Sequence, residues 1–508
     1  IHMQAAKAIE QSVLWLAEEQ VELLAYHFAE SEEPTRAIPH LIIAAENAAR
    51  RSANVLAIEH YGRAMEILPD QVQHPSDEYF QISIGLGTAY KFVGEYATGN
   101  QILQEALDKI WVWHRANNRE AVNKIRVELL HQLGDLQQRA GNYDQALAHL
   151  ESGLRILGRN AAENNPKAWR LLLDRMAWIR FRQGQLDDVL ILANQAISGL
   201  EPDNQDDPGV LARLHNTLGG VLWQKGQLDA AISHVYRSLQ LHESIGYLWG
   251  MAMAYINLGV LSFVSGRWSQ ANEYFEQAYA IHHQIGGLEG QALSADNLGI
   301  LYIAMGDHEA AKQELEAALA IRLHLGDPWG LAQSRLNLAR LLIIQGDIDT
   351  AEREAKEALE LGESIQSSEV GAEGRAIMAL ILAEKGELSN GLQLASEGLD
   401  MARAVGAREK EIDALRVLGV LKRRVRQEHE ALSLLQLSMR LSQEKNDPYR
   451  QGLALLELGR TYLEVADSDG DKQAEAWNHL NLAAEKFSDL NAAYDLQLTQ
   501  SMLDQVEW

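Results

Sequence analysis

A three-residue segment returns at a fixed interval through this chain, as Asn257-Leu258-Gly259, Asn297-Leu298-Gly299 and Asn337-Leu338-Ala339. Its small last residue continues through Gly219, Gly259, Gly299, Ala339, Ala379, Gly419 and Gly459, each 40 residues after the one before. A unit of this size cannot bury its apolar face alone and must stack on its neighbours, which gives a quasi-one-dimensional array. Length alone, 508 residues, suggests three or four globular domains at roughly 150 residues each. The period replaces that expectation with one continuous array.

Within each repeat a turn glycine follows seven residues after the small position, at Gly226, Gly266, Gly306, Gly346 and Gly386. Two further small positions follow, for example Ala271 and Ala278, or Ala311 and Ala318. Small residues mark close approach of helices, and the glycine supplies the positive φ that ends the first helix. Asp327-Pro328 and Asp447-Pro448, three periods apart, read as an N-cap followed by Pro at the first helical position. Each repeat is expected to be two antiparallel helices of about 17 residues joined by short turns. Pro is absent between Pro208 and Pro328, as an all-helical protein requires.

The same rhythm runs upstream with looser spacing: Gly87, Gly94, Gly99, Ala106; then Gly134, Gly141, Ala146, Gly153; then Ala177, Gly184, Val189, Ala196. Nearer the start, Ala25, Glu32, Ala37, Ala44 and Ala45, Ser52, Ala57, Ala64 form two sets that share one helix. At the other end, Trp477 to Phe487 is expected to complete a last hairpin after the loop 467–471, and Leu490 to Trp508 to form a capping helix.

Small-x6-Gly-x4-Ala-x6-Ala over two helices resembles the tetratricopeptide repeat (TPR), in a long form of 40 residues rather than about 34. It is similar to the long-repeat branch that includes kinesin light chains and spindle-orientation adaptors, although the usual early Trp and terminal Pro are missing. The resemblance implies an all-α solenoid, a right-handed TPR superhelix of antiparallel hairpins. Leu23-Leu24-Ala25-Tyr26-His27-Phe28-Ala29-Glu30, Ala37-Ile38-Pro39-His40-Leu41, Ala44-Ala45-Glu46-Asn47-Ala48 and Ala57-Ile58-Glu59-His60-Tyr61 resemble the junction between ATPase core and TPR arm in bacterial signal-transduction ATPases with numerous domains (STAND proteins). That resemblance implies a cytoplasmic sensor arm cut from a longer chain. Its partners would be an inducer, small molecule or protein, in the concave groove and the ATPase core of the parent polypeptide. The expected organisation is cloning residue at 1–3, an N-terminal helical array at 4–78, divergent repeats at 79–208, regular repeats at 209–487 and a cap at 488–508.

Composition excludes other classes. With 45 Lys+Arg against 71 Asp+Glu the formal net charge is −26, and so acidic a chain repels a phosphate backbone unless a basic face is segregated. The absence of Cys removes disulfides, iron–sulfur clusters, Cys-ligated zinc and a Cys nucleophile. No run of apolar residues is long enough to span a membrane. The sequence contains no Gly-x4-Gly-Lys-Ser/Thr phosphate loop, no Gly-x-Ser-x-Gly elbow and no His-Glu-x-x-His helix, so no enzymatic activity and no cofactor are expected. Adjacent His282-His283 diverge on a helix and chelate one metal poorly. Asp467-x-Asp469-x-Asp471 has the first three positions of a calcium loop, but Lys472 stands where Gly is wanted and Asn478 where Glu belongs. No metal site is expected.

If the first helix of each hairpin lines the concave side, three sets of residues face the groove. Asn257, Asn297 and Asn337 form an amide ladder that can hold an extended peptide backbone, or serve helix–helix hydrogen bonds within the array. Trp223, Phe263, Ile303 and Ile343 form an apolar strip, a binding surface unless the superhelix is tight enough to bury it. Arg340, Arg416, Arg423, Arg424 and Arg460 form a basic floor suited to a carboxylate or phosphate, unless Glu373, Glu384, Asp413 and Glu464 pair with them. In the repeat around Gly419 the turn glycine is replaced by Arg426. The expected function is ligand sensing for a STAND-type ATPase; the alternative is a constitutive adaptor that binds an extended peptide.

Overall fold

The computed structural model describes residues 2–12, 18–51, 53–69, 75–113, 119–183, 185–198, 207–365, 367–466 and 469–506. Among the described residues every regular element is helical, and the chain divides into two compact units, Ile1–Val210 and Leu211–Trp508. Ser52, Gly184, Asp467, Ser468 and Trp508, named above, lie outside the described residues.

The first unit contains α1 (His2–Ser12), α2 (Glu18–Ala29), a 3-10 turn (Pro34–Ala37), α3 (Ile38–Arg50), α4 (Asn54–Ile67), α5 (Asp77–Phe92), α6 (Tyr96–Trp113), α7 (Arg119–Arg139), α8 (Tyr143–Leu157), α9 (Ala161–Asn164), α10 (Pro166–Arg182) and α11 (Leu186–Ile197). Ala44 and Ala45 are both buried on α3, so one helix serves the two sets predicted to share it.

The second unit is the regular array: α12 (Pro208–Gln224), α13 (Leu228–Ser244), α14 (Leu248–Val264), α15 (Trp268–Gln284), α16 (Leu288–Met305), α17 (His308–Leu325), α18 (Pro328–Gln345), α19 (Ile348–Ser364), α20 (Ser368–Glu384), α21 (Leu388–Ala404), α22 (Arg408–Arg424), α23 (Glu428–Glu444), α24 (Pro448–Ala466), α25 (Gly470–Leu490) and α26 (Ala493–Leu503). Even-numbered helices from α12 to α24 open the hairpins and are called A helices; their partners are B helices.

Local chemistry sets these boundaries. Asp307, Asp327 and Asp347 each accept a hydrogen bond from a backbone N–H in the first turn of the following helix. The turn glycines Gly226, Gly266, Gly306, Gly346 and Gly386 all have φ between 76° and 85°. The small A-helix residue makes room for the B-helix residue sixteen positions later. A Cβ on Gly219 would meet Val235 at 2.5 Å, on Gly259 Phe275 at 2.4 Å, on Gly299 Leu315 at 2.6 Å and on Gly419 Leu435 at 2.7 Å. Where the small residue is alanine, the partner is alanine too: Ala339 with Ala355 in one core cluster, Ala379 with Ala395 in another.

Consecutive A helices touch one another, α14 with α16, α16 with α18, α18 with α20, α20 with α22 and α22 with α24. Consecutive B helices make no comparable contact with one another, so the A helices line the inner side of the curve in this unit. Two boundaries depart from expectation. The last hairpin resumes at Gly470 rather than Trp477, because Asp469 accepts from the Asp471 and Lys472 amides and caps α25. That capping role occupies Asp469, the second of the three aspartates, while Asp467 lies outside the described residues. The capping helix is α26, which starts at Ala493 rather than Leu490, because Asn491 takes φ 59° and ends α25 at Leu490. No helix of the described residues is long and apolar enough to cross a membrane.

Candidate functional site

The A-helix face of the second unit carries all three predicted sets, each already engaged within the array. In the amide ladder, Asn257 Nδ2 donates to Asn216 Oδ1 of the preceding A helix at 2.7 Å, and Asn297 Nδ2 to Leu293 O of its own helix at 2.8 Å. Asn337 is buried and hydrogen-bonds Asp296. Asp296 also accepts from Ser334 Oγ at 2.8 Å and lies 3.7 Å from Arg322. Burial pushes its carboxyl up to about 6 despite these partners.

The apolar strip is half-buried at Trp223, Phe263, Ile303 and Ile343. Trp223 packs on the cluster built around Val235 and Leu258, and Ile303 and Ile343 on the cluster built around Leu336 and Leu341. Phe263 has a more distant neighbour. It packs in one cluster with Leu456 of α24, Phe487 of α25 and Met502 of α26, and its ring lies 5.8 Å from Trp268 and 6.5 Å from Tyr449. The array of this unit therefore curls until its last helices lie against α14 and α16.

The predicted arginines alternate with carboxylates along successive A helices. Arg340 Nη2 lies 2.6 Å from Glu373, which also pairs with Lys410. Burial pushes the Glu373 carboxyl up, but the two cations outweigh it and hold it below the ordinary range. Asp413 receives Arg450 through Nε and Nη2, both at 3.2 Å, and Arg450 Nη1 lies 2.7 Å from Asp447. Here too burial opposes ionisation, and Arg450, Arg340 and Arg416 hold Asp413 far below the ordinary range. Arg423 is buried between Glu457 and Glu464, Arg424 meets Glu384, and Arg460 stands 3.9 Å from both Glu457 and Glu464.

Arg416 differs from its neighbours. Half-buried at the centre of this ladder, it makes no ion pair among the described residues yet acts through space on Asp413, Tyr449 and Asp495, and its Nε, like that of Arg423, is buried without a hydrogen-bond partner. Tyr449 donates its hydroxyl to Asp495 of α26 at 3.0 Å.

Lys410, Arg450, Glu457 and Asp495 were absent from the sequence prediction. The first two stand nine residues before the small position, in the first turns of α22 and α24; Asp495 arrives from the cap, whose position the repeat does not encode. The first unit has a comparable ladder, also unforeseen: buried Lys91 lies 2.6 Å from Asp135, which Arg175 approaches at 3.3 Å. Among the described residues no cluster of three or more His, Asp or Glu is arranged to hold a metal ion.

The tetratricopeptide-repeat family profile matches residues 210–284, 250–324 and 288–364, and a second tetratricopeptide-repeat profile matches residues 127–152. No curated protein matches the chain. Among solved structures the chain is similar to the apo form of RapI, at 14% identity over 54% of this chain and 98% of that one, with a TM-score of 0.46. It is also similar to a Rap protein complexed with competence and sporulation factor, at 15% identity over 78% of this chain and 99% of that one, TM-score 0.47. The Cut9–Hcn1 hetero-tetramer of APC/C gives 15% identity over 98% and 93%, TM-score 0.44. The chain is an all-α solenoid whose residues 127–152 and 210–364 carry tetratricopeptide repeats.

Proposed function

We propose that this solenoid is a sensor that binds an inducer bearing a carboxylate or phosphate on the A-helix face of its second unit, and that it serves as the arm of a cytoplasmic STAND-type signalling ATPase. The observation that carries the reading is Arg416. Arg340, Arg423, Arg424 and Arg460 each pair with a carboxylate, whereas among the described residues Arg416 makes no such ion pair, and its Nε, like that of Arg423, is buried with no hydrogen-bond partner. A guanidinium so placed gains charge-assisted, bidentate bonds from an incoming anion. The surrounding ladder gives selectivity, because an anion of the wrong shape must displace Glu384 or Glu464 from Arg424 or Arg460. The resemblance of residues 23–61 to a STAND junction supplies the link to an ATPase.

The test is a thermal-shift screen of di- and tricarboxylates and phosphorylated metabolites against the chain and its Arg416→Gln variant. A compound that raises the melting temperature of the first and not the second supports the reading. If the variant responds to every active compound as the parent does, ligand binding lies elsewhere.

A further inference from the structure

Four of the six turns that join one regular repeat to the next share one pair of residues. In these four an exposed apolar residue is followed by a glycine at positive φ: Ile245-Gly246, Ile285-Gly286, Leu325-Gly326 and Val405-Gly406, with the apolar residues 46%, 38%, 40% and 48% exposed; the turn after α19 reads Ile365-Gln366, and Gln366 lies outside the described residues. After α23 the pair is Lys445-Asn446. Lys445 is only 8% exposed, and Asn446 takes φ 54° without being glycine. Both substitutions have partners more than 200 residues away. Lys445 Nζ donates to Gln224 O at 2.8 Å and reaches Trp223 O at 3.5 Å, the carbonyls that end α12, where a cation is favoured. Asn446 Nδ2 donates to Gly226 O at 3.4 Å.

The seam continues from this turn. Pro448 and Leu490 lie over Gly266, and the Tyr494 backbone lies over Gly306. A Cβ at Gly226 would stand 3.0 Å from Glu444 O, while at Gly346 and Gly386 it would meet nothing. Three consecutive A-to-B turns are thus covered by later segments of the same unit.

We propose that residues 445–449 are a latch that holds the second unit closed on itself and releases it without unfolding any hairpin. The energetics of a repeat array rest on contacts between neighbouring repeats. A seam between repeats far apart in sequence is an added contact that can break while each hairpin stays packed. The latch departs from the repeat only where its new side chains have a partner across the seam: Asp447-Pro448 keeps the helix start used at Asp327-Pro328, and Lys445 and Asn446 replace residues that elsewhere only shape the turn. Closed, the latch keeps Phe263 against α24–α26; open, it exposes that strip. A ligand that prefers either state shifts the balance between them. The device does not depend on the nature of the ligand.

The chain has no Cys, so a Gln227→Cys, Gln443→Cys pair on exposed positions takes spin labels at only two sites across the seam. Pulsed electron resonance on the full chain is expected to give a short, narrow distance. Adding Lys445→Ile and Asn446→Gly rewrites the turn as its sister Ile285-Gly286. The short distance is then expected to give way to a longer, broader distribution with unchanged helicity by circular dichroism. Retention of the short distance at unchanged helicity overturns the proposal. Should the double substitution lower helicity, the labelled parent decides in sub-denaturing urea: opening ahead of helix loss supports the latch, and simultaneous loss of both refutes it.

Discussion

Gly259 and Phe275, or Gly299 and Leu315, show how one pair of residues builds each hairpin: a missing Cβ on the A helix is filled by a large side chain sixteen residues later. Ala339 with Ala355 reaches the same density with two medium residues. Interiors are close-packed, so a methyl group added on one side must be removed on the other. Ala355→Leu alone is expected to cost about 2 kcal/mol, and Ala339→Gly is expected to restore most of it. Urea unfolding of the four members of this cycle measures the coupling, and strictly additive losses contradict the pairing. Arg426 offers a second test. It holds φ 59° where five sister turns have glycine, and a non-glycine residue there is strained by about 1 kcal/mol. Arg426→Gly is expected to raise stability by that amount, read as a higher urea midpoint with unchanged slope. The small and turn positions were legible in the sequence because period and residue size together specify them. The choice between Gly and Ala was not read, since it answers a residue on the other helix.

At the scale of elements, hairpin lengths, turn glycines and the Asp-Pro helix starts follow the repeat and were read directly. The start of α25 was misplaced, because the run of aspartates looked like a loop while Asp469 acts as a cap. The basic floor was half legible. Glu373, Glu384 and Glu464, weighed as partners of its arginines, do pair with them; Lys410 and Arg450, in the first turns of α22 and α24, supply the remaining cations. Asp495 of α26 is the element contact most open to titration. Burial pushes its carboxyl from 3.8 up to about 6, and the Tyr449 hydroxyl and Arg416 offset this only in part. A raised folded pKa means that the native state holds a proton the unfolded chain has lost, so stability falls as pH rises from about 4 through about 6. Asp495→Asn removes that loss. Its stability relative to the parent is expected to grow across this window and to reach on the order of 2 kcal/mol above pH 7. A difference that does not change between pH 4 and pH 8 contradicts a buried, protonated Asp495.

For the molecule as a whole, the period turns a length that suggested several domains into repeat after repeat of one hairpin, in which each repeat is held by its neighbours. Closure of the second unit was the part least legible, since it joins repeats that the period treats as equivalent and distant. Only the exceptions at Lys445 and Asn446 carried a trace of it. Closure also explains the state of the predicted apolar strip: Phe263 is covered by the chain's own last helices, while the charged stretch from Arg340 to Arg460 stays partly open. On the proposed function, a ligand acts on this charged A-helix face. Hydrogen exchange on the full chain, with and without a carboxylate or phosphate compound that raises its melting temperature, tests it most directly. Protection is expected to be gained on α18, α20, α22 and α24 around Arg416; protection confined to the B helices α19, α21 and α23 would contradict a ligand on this face.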